Sequence, residues 1–226
     1  MEIKSLRISS NKLVETGIFY TKTLGFTLVN EDEYSFQIRV GSSKLTFTNQ
    51  DPNNNPFYHF AFNIPSNKYS EAKQWTKDRV NLLIENGEDE VDFSHLPAHA
   101  FYFYDPSGNI VEFIARYGIN QESEHPFTPD SILNISEIGL IVEDAVNIGN
   151  KMIQNKIYER DKKTISNHYL NFMGIKSKGI FVILAQPGRK WLFSKKYSAI
   201  FPLEIELDNN KVLKVNVDKE FKIEDS

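Results

Sequence analysis

The sequence of 226 residues contains no cysteine. Disulfide bonds, thiolate metal sites and a cysteine nucleophile are therefore excluded. It also has no run that approaches the ~20 apolar residues needed to cross a membrane, and the opening MEIKSLRISS is too polar for a signal peptide. We therefore expect a soluble, cytoplasmic protein.

A strong excess of either charge is absent as well. The chain has 26 basic and 30 acidic residues, a net charge of -4, which gives no electrostatic reason to expect nucleic acid or a membrane surface as a partner. It has neither a glycine-rich phosphate loop nor a GxSxG nucleophile elbow, so the enzyme classes that use them lack support. We expect a folded protein whose partner is a small molecule.

One stretch, HAFYFYDPSGNIVEFI (99–114), combines turn chemistry with a charge in an apolar run. Aromatic and β-branched residues on both sides of Asp-Pro-Ser-Gly predict a β-hairpin. Side-chain alternation puts Glu112 on the same face as Ile110 and Ile114. A buried carboxylate is costly unless it is paired, hydrogen-bonded or bound to a metal. This strand alone favours a solvent-facing Glu112, or one paired with an arginine such as Arg116.

A strand-like run that leads into a helical pattern occurs three times. We expect the first helix to stop at Gly25, the second to be capped by Ser66 and the third by Asp144. Further strands follow each helix, so the predicted unit is strand, helix and three strands. The three opening runs are residues 3–9, 58–64 and 135–142.

The polar, proline-containing stretches DPNNNP (51–56) and NQESEHPFTPDS (120–131) separate the units. We expect packing in pairs, because one unit cannot cover both faces of its own sheet. Three is an uneven number, so the pairing stays open, and a homodimer is a further expectation. The predicted modules are residues 1–50, 57–117 and a looser third at 133–207, with C-terminal strands to about 218.

These units, the FYTKTLGF helix end, and HFAFNIP followed by YDPSGNIVEF resemble the vicinal oxygen chelate superfamily. That superfamily includes glyoxalases, bleomycin-resistance proteins and extradiol ring-cleaving dioxygenases. The resemblance covers residues 1 to about 117 well and 134 to about 186 more loosely. It implies an α+β fold of repeated βαβββ modules that form cupped mixed sheets, with helices on the outer faces. It says less about the reaction, because one fold hosts many chemistries.

The resemblance also implies that metal ligands come from the first and last strands of a module. In the second module these slots hold His59 and Glu112, which are the predicted metal ligands. In the first module they hold Ser5 and Thr46, whose hydroxyls are poor ligands for a catalytic divalent ion. A site from the first and second modules would then have only two ligands.

Two residues can complete the set. His99, next to the Glu112 strand, is a candidate third ligand or general base. Glu137 fills the first-strand slot of the third module, and it joins His59 and Glu112 if the second and third modules share a cup. The alternatives are a salt-bridged Glu137 and a hydrogen-bonded interior His59. His125 and His168 match no slot and are interpreted as structural.

The segment PGRKWLFSKKY (187–197) mixes cations with aromatic residues. Arg189 and Trp191 are the predicted substrate-binding residues, suited to an anionic or aromatic small molecule. The alternative is a loop whose aromatic residues seat it on the core, with the lysines in water.

The resemblance implies a metal-dependent enzyme, of lyase, isomerase or ring-cleaving dioxygenase type, for a small molecule with vicinal oxygens. The expected cofactor is a divalent ion, iron, manganese, zinc or nickel, with His99 or Glu137 as the base. The rival is a metal-free binding protein of the bleomycin-resistance type, which Ser5 and Thr46 favour. A third hypothesis is a scaffold or regulatory protein whose cup is filled by side chains.

Overall fold

A computed structural model gives the structure of residues 1–49, 55–93 and 96–225. Residues 51–54 of the predicted DPNNNP linker lie outside these described residues. Within the described ranges, no helix is both long and apolar enough to span a membrane.

The described residues form fourteen strands and three α-helices. The helices are α1 (Leu13–Ile18), α2 (Tyr69–Lys77) and α3 (Ala145–Gln154). The strands are β1 (Ile3–Ser9), β2 (Leu28–Glu31), β3 (Ser35–Val40), β4 (Ser43–Thr48), β5 (His59–Ile64), β6 (Val91–Phe93), β7 (Ala98–Tyr104), β8 (Ile110–Arg116), β9 (Asn134–Ile141), β10 (Asn171–Ile175), β11 (Ile180–Ala185), β12 (Leu203–Leu207), β13 (Lys211–Val215) and β14 (Phe221–Asp225).

The strands belong to two mixed sheets, which confirms the predicted α+β class. The first has the order β14-β13-β12-β1-β4-β3-β2, and the second has the order β10-β11-β9-β5-β8-β7-β6. The second and third modules therefore share one sheet, in which β5 and β9 run antiparallel. The first module pairs with the C-terminal strands through β1 and β12.

The third module differs from its predicted boundaries in two ways. Between α3 and the end of β11 the described chain supplies two strands rather than three. The strand Leu203–Leu207, predicted as part of this module, lies in the other sheet beside β1. This arrangement gives the first module a partner and so resolves the uneven number of modules.

The helix ends follow the sequence in two cases of three. The side chain of Asp144 accepts a hydrogen bond from the backbone N–H of Asn147 at 3.0 Å, as a helix cap does. After α1 a π-helical segment runs to Thr23, and Gly25 stops it with φ +70°. The predicted Ser66 cap is wrong, because Ser66 starts a 3₁₀ turn before α2 and makes no capping hydrogen bond there.

Aromatic residues fill the space under one face of the second sheet. Phe62 on β5 lies 5.8 Å from both Phe26 and Phe113, measured between ring centroids. Tyr69 of α2 packs on the same face at 5.9 Å from Phe101. Since this face is covered by core and helix, the opposite face of the sheet is left to form a cup.

Candidate metal centre

The site is built on three adjacent strands, with β5 in the middle. Ala61 of β5 is directly paired with Glu112 of β8 on one side and with Glu137 of β9 on the other. Residues paired across a sheet point to the same face, so both carboxylates flank the small alanine side chain. His59 lies two residues before Ala61 and therefore shares that face.

The three side chains converge closely enough to hold one ion. One ligand atom from each of His59, Glu112 and Glu137 lies within 4.8 Å of the others, and the Nε2 of His59 is 3.5 Å from Oε2 of Glu112. An ion with bonds of ~2.0–2.2 Å accommodates ligand atoms up to ~4.4 Å apart. The donor set therefore fits a divalent ion after side-chain shifts of a few tenths of an ångström.

A backbone contact sets the tautomer of His59. Its Nδ1 lies 3.1 Å from the carbonyl oxygen of Ile110. A carbonyl only accepts, so Nδ1 carries the proton and the lone pair of a neutral ring is on Nε2, the atom that faces Glu112. The hydrogen bond to Ile110 fixes the orientation of the ring, as a hydrogen bond from the other ring nitrogen usually does in metal-binding histidines.

Burial shifts the pKa values of both predicted ligands, Glu112 and His59. It raises the pKa of the Glu112 carboxyl well above its usual value, and the charge of Glu137 adds to this, while Arg116 opposes it. Burial also lowers the pKa of His59, which favours the neutral, metal-binding imidazole. In both groups the largest cause of the shift is the unfavourable burial of charge.

Arg116 holds Glu137 rather than Glu112. Its Nη2 donates to Oε1 of Glu137 in a buried ion pair, and its Nε donates to the side-chain oxygen of Asn63 at 3.2 Å. The salt-bridged alternative for Glu137 is therefore present, although the carboxylate has a second oxygen. Two buried carboxylates share one guanidinium, and a divalent cation would favour the ionised form of Glu112, whose pKa burial raises.

The three residues open into a cavity of about 340 Å³. Trp191 covers one side, with its ring 4.8 Å from that of His59, and Arg189 lies at the edge. The remaining walls are mainly apolar and aromatic, with four further charged residues. These wall residues are Glu85, Phe93, Leu96, Tyr102, Ile114, Arg116, Arg160, Leu170, Phe172, Ile183, Lys190 and Leu192.

The structure does not bring His99 to this cavity. His99 contacts the rings of Tyr69 and Tyr117 on the helix side of the sheet, at 5.3 and 5.6 Å. Its Nε2 lies 3.8 Å from a carboxylate oxygen of Asp92. Alternation explains the placement, since Tyr102, three residues on, faces the cavity and His99 faces away.

The remaining candidates lie apart from the site. Thr46 is in the first sheet, where it accepts a hydrogen bond from Gln37 Nε2 at 2.8 Å, and Ser5 is on the neighbouring strand β1. His125 and His168 are exposed. The predicted pair of metal slots in the first module thus belongs to the other sheet.

Sequence reasoning missed several residues that line or shape the cavity. Gly139 makes room for Trp191, because a Cβ there would lie 2.9 Å from the indole ring. Tyr102 stacks on Phe193 with centroids 4.9 Å apart. Arg160 lies between strands, where no periodicity marks it. The sequence did carry a signal for Tyr102. It pairs with Glu112 across the predicted hairpin and therefore faces the same side of the sheet.

Comparison with known proteins separates the fold from the activity. Residues 135–189 match a family described as toxoflavin-degrading enzyme, which is less than half of the chain. A proposed dioxygenase from Bacillus subtilis subsp. subtilis str. 168 is 18% identical with a TM-score of 0.54, covering 81% of this chain and 63% of its own. The chain has the fold of the vicinal oxygen chelate superfamily. The resemblance stated from the sequence is therefore confirmed at that level.

Smaller structures match about half of this chain. A lactoylglutathione lyase from Agrobacterium tumefaciens is 18% identical with a TM-score of 0.40, covering 50% of this chain and 91% of its own. An integron cassette protein from the Halifax Harbour sewage metagenome is 21% identical with a TM-score of 0.44, covering 50% and 97%. No curated protein sequence matches.

Proposed function

We propose that this protein is a divalent-metal-dependent enzyme acting on a small molecule with two neighbouring oxygen atoms. The observation that carries the proposal is the convergence of His59, Glu112 and Glu137 at the base of one cavity. Three protein ligands leave coordination positions free for a substrate. A bound ion would supply Lewis-acid chemistry that stabilises negative charge on the substrate oxygens.

The residues of the chain divide the remaining work. His59 and Glu112 are the proposed ligands, while Glu137 has two candidate roles, ligand and proton acceptor. Because Arg116 fixes one of its oxygens, Glu137 is held in place at the cavity wall, where a base must lie within hydrogen-bonding reach of its proton. His99 has no part in the proposal, since it faces away from the cavity.

The rival function is a metal-free binding protein. The ion pair between Arg116 and Glu137 supports it, because that pair satisfies one carboxylate without a metal. The cavity volume lies within the range of ~300–1,000 Å³ typical of small-molecule sites. That volume argues against the scaffold hypothesis, in which side chains fill the cup.

Metal content is the measurement that separates the two functions. Tag-free protein purified without chelator would be analysed by mass spectrometry of its metals, together with His59→Ala, Glu112→Gln and the exposed control His168→Ala. We expect near-stoichiometric metal in the wild type and in His168→Ala, and its loss in both site variants with unchanged circular dichroism. The identity of the ion, iron, manganese, zinc or nickel, would then narrow the reaction to a lyase, isomerase or dioxygenase type.

The opposite result is equally informative. Wild-type protein that holds no metal after incubation with each divalent ion would overturn the enzyme proposal and favour the binding protein. Metal retained at full occupancy in both site variants would place it elsewhere in the chain.

A further inference from the structure

Arg160 lines the cavity, and the protein itself uses only part of the hydrogen-bonding capacity of its guanidinium. Its guanidinium lies over the ring of Phe172, 4.0 Å from the centroid, and 5.4 Å from that of Phe181. Its Nε is buried and has no hydrogen-bond partner among the described residues. The carboxylate of Asp161 lies 3.4 Å from Nε, but it also binds Lys176 at 2.7 Å.

This geometry suits a carboxylate. A guanidinium that rests on an aromatic ring uses its face for the ring, and its N–H donors lie in its own plane. Those donors match the two oxygens of a carboxylate. The stacking on Phe172 also holds Arg160 in place, so less side-chain entropy is lost when an anion binds.

Two arginines of the cavity wall, Arg160 and Arg189, have no carboxylate partner among the other described wall residues. Among the cavity residues, Glu85 is paired with Lys190 at 2.6 Å and Glu137 with Arg116. Arg189 has no carboxylate partner among the described residues, and Arg160 shares Asp161, which lies outside the cavity wall, with Lys176. A divalent ion at the proposed site would add two further positive charges, so an anionic substrate would be attracted rather than repelled.

The walls indicate the shape of the rest of the molecule. Trp191, Phe172 and Tyr102 face the cavity together with aliphatic residues such as Ile183 and Leu192. Aromatic and aliphatic walls favour a flat apolar body, which aromatic side chains contact by stacking.

We propose that Arg160 is a specificity-determining residue that binds the carboxylate of a planar aromatic substrate. The vicinal oxygens of that substrate face His59, Glu112 and Glu137, a part of the inference that rests on the proposed function. Arg189, whose guanidinium is 3.4 Å from the carbonyl oxygen of His168, provides a second cation at the same mouth.

The test compares two probes that differ in one charge. Protein loaded with zinc, which has no redox chemistry, would be titrated calorimetrically with 3,4-dihydroxybenzoate and with the neutral 3,4-dihydroxybenzamide. The variants are Arg160→Met, which keeps an aliphatic stem over Phe172, and Lys163→Met, which removes an exposed cation of the same segment outside the cavity. Zinc content would be measured for each.

We expect the wild type to bind the acid about 10- to 100-fold more tightly than the amide, the range of a charged hydrogen bond. The ratio should fall to near one in Arg160→Met and stay unchanged in Lys163→Met, with equal zinc in all three. A ratio near one in the zinc-bound wild type, or a ratio that Arg160→Met leaves intact, would overturn the inference while the proposed metal site stands.

Absence of zinc binding would instead remove the proposed function. The anion contact would then be tested on metal-free protein with benzoate and benzamide, which have no vicinal oxygens. A preference for benzoate that depends on Arg160 would support the contact by itself, and no preference would overturn it.

Discussion

Glycine at position 139 is the residue that lets Trp191 cover His59. A Cβ at this position would approach two indole carbons to 2.9 and 3.0 Å, and Trp191 itself is buried. We predict that Gly139→Ala displaces the indole and lowers the free energy of unfolding by about 1–3 kcal/mol, as overpacking does. Urea denaturation followed by tryptophan fluorescence would measure both effects.

Gly17 offers a matched control for this substitution. A Cβ there would meet Phe36 at an ordinary 3.5 Å, and the position is helical. Gly17→Ala should therefore be neutral or stabilising by up to about 1 kcal/mol. Equal effects of the two substitutions would contradict the assigned role of Gly139.

Asp105, in the turn of the β7–β8 hairpin, predicts a dependence of stability on pH. Burial raises its pKa to about 6, even though Tyr20 and Asn109 donate hydrogen bonds to it. Since the folded pKa lies above the ordinary value of 3.8, folding takes up a proton between these values. The stability that this group contributes is present below pH 3.8 and is lost as the pH rises through about 6.

The measurement is the unfolding free energy of the wild type minus that of Asp105→Asn, which cannot ionise. We expect this difference to fall by about 2 kcal/mol between pH 4.5 and pH 7.5, at 1.36 kcal/mol per unit of pKa shift. A constant difference would show that Asp105 titrates normally in the folded protein.

The site residues differ in how far the sequence can reveal them. His59 and Glu112 are visible because strand parity and module slots place them together, and Glu137 follows from the same logic once a pairing of modules is assumed. Their roles stay predictions. His99 was ambiguous because neither face of its strand is marked by charge. Arg160 could not be found, since its position depends on how an irregular segment packs against Phe172.

At the scale of elements, Glu85 is one of the groups that hold the segment 187–198 over the cavity, beside the Tyr104–Ser194 and Lys196–Gly108 hydrogen bonds. Glu85 accepts hydrogen bonds from the Nζ of Lys190 at 2.6 Å and from the backbone N–H of Phe193 at 2.9 Å. Phe193 has φ +54°, a conformation that a residue with a side chain adopts only when its surroundings enforce it. Glu85 therefore holds Trp191 and its neighbours in place.

We predict that Glu85→Ala increases hydrogen exchange of the backbone amides in 187–198 by about 10-fold or more, the value of a lost charged hydrogen bond. The amides of β5 and β8 should exchange at wild-type rates. Glu88→Ala, an exposed carboxylate in the same turn, should change neither region. Unaltered exchange in 187–198 after Glu85→Ala would show that the other contacts of the segment, such as those of Ser194 with Tyr104 and of Lys196 with Gly108, anchor it without Glu85.

Local chemistry explains which elements were predictable. The hairpin and the Asp144 cap depend on residues a few positions apart, so the sequence states them directly. The Ser66 cap failed because a 3₁₀ turn precedes α2, and a side chain that can cap does not require the helix to start there. The prediction assigned β12 to the third module because its alternating pattern suits a strand of either sheet, and the sequence does not say which sheet it joins.

For the whole molecule, the pairing of modules is what the sequence left open. The first strands β1, β5 and β9 each contribute buried apolar residues to the core, so hydrophobicity alone cannot say which two pair. The structure pairs β5 with β9 and gives β1 to β12. That choice brings Glu137 to His59, and it makes the C-terminal strands the partner of the first module.

We therefore expect the first module, at the other end of the chain, to need the C-terminal strands in order to fold. Strands β12 and β13 bury five apolar side chains: Leu203, Ile205, Leu207, Leu213 and Val215. At ~1.5–3 kcal/mol each, their loss removes about 8–15 kcal/mol, which equals the ~5–15 kcal/mol that a domain has in total. We predict that a chain ending at Pro202 is insoluble or unfolded.

A chain ending at Val217 is the control, since it loses only β14, whose Phe221 and Ile223 are partly buried at the sheet edge. It should fold, with a melting temperature about 2–8 °C lower, because 1 kcal/mol corresponds to ~2–4 °C at this size. Soluble yield and thermal melting of both chains make the comparison. A chain ending at Pro202 that melts cooperatively at the wild-type temperature would show that the first module is stable without a partner, and the pairing of β1 with β12 would then be incidental to folding.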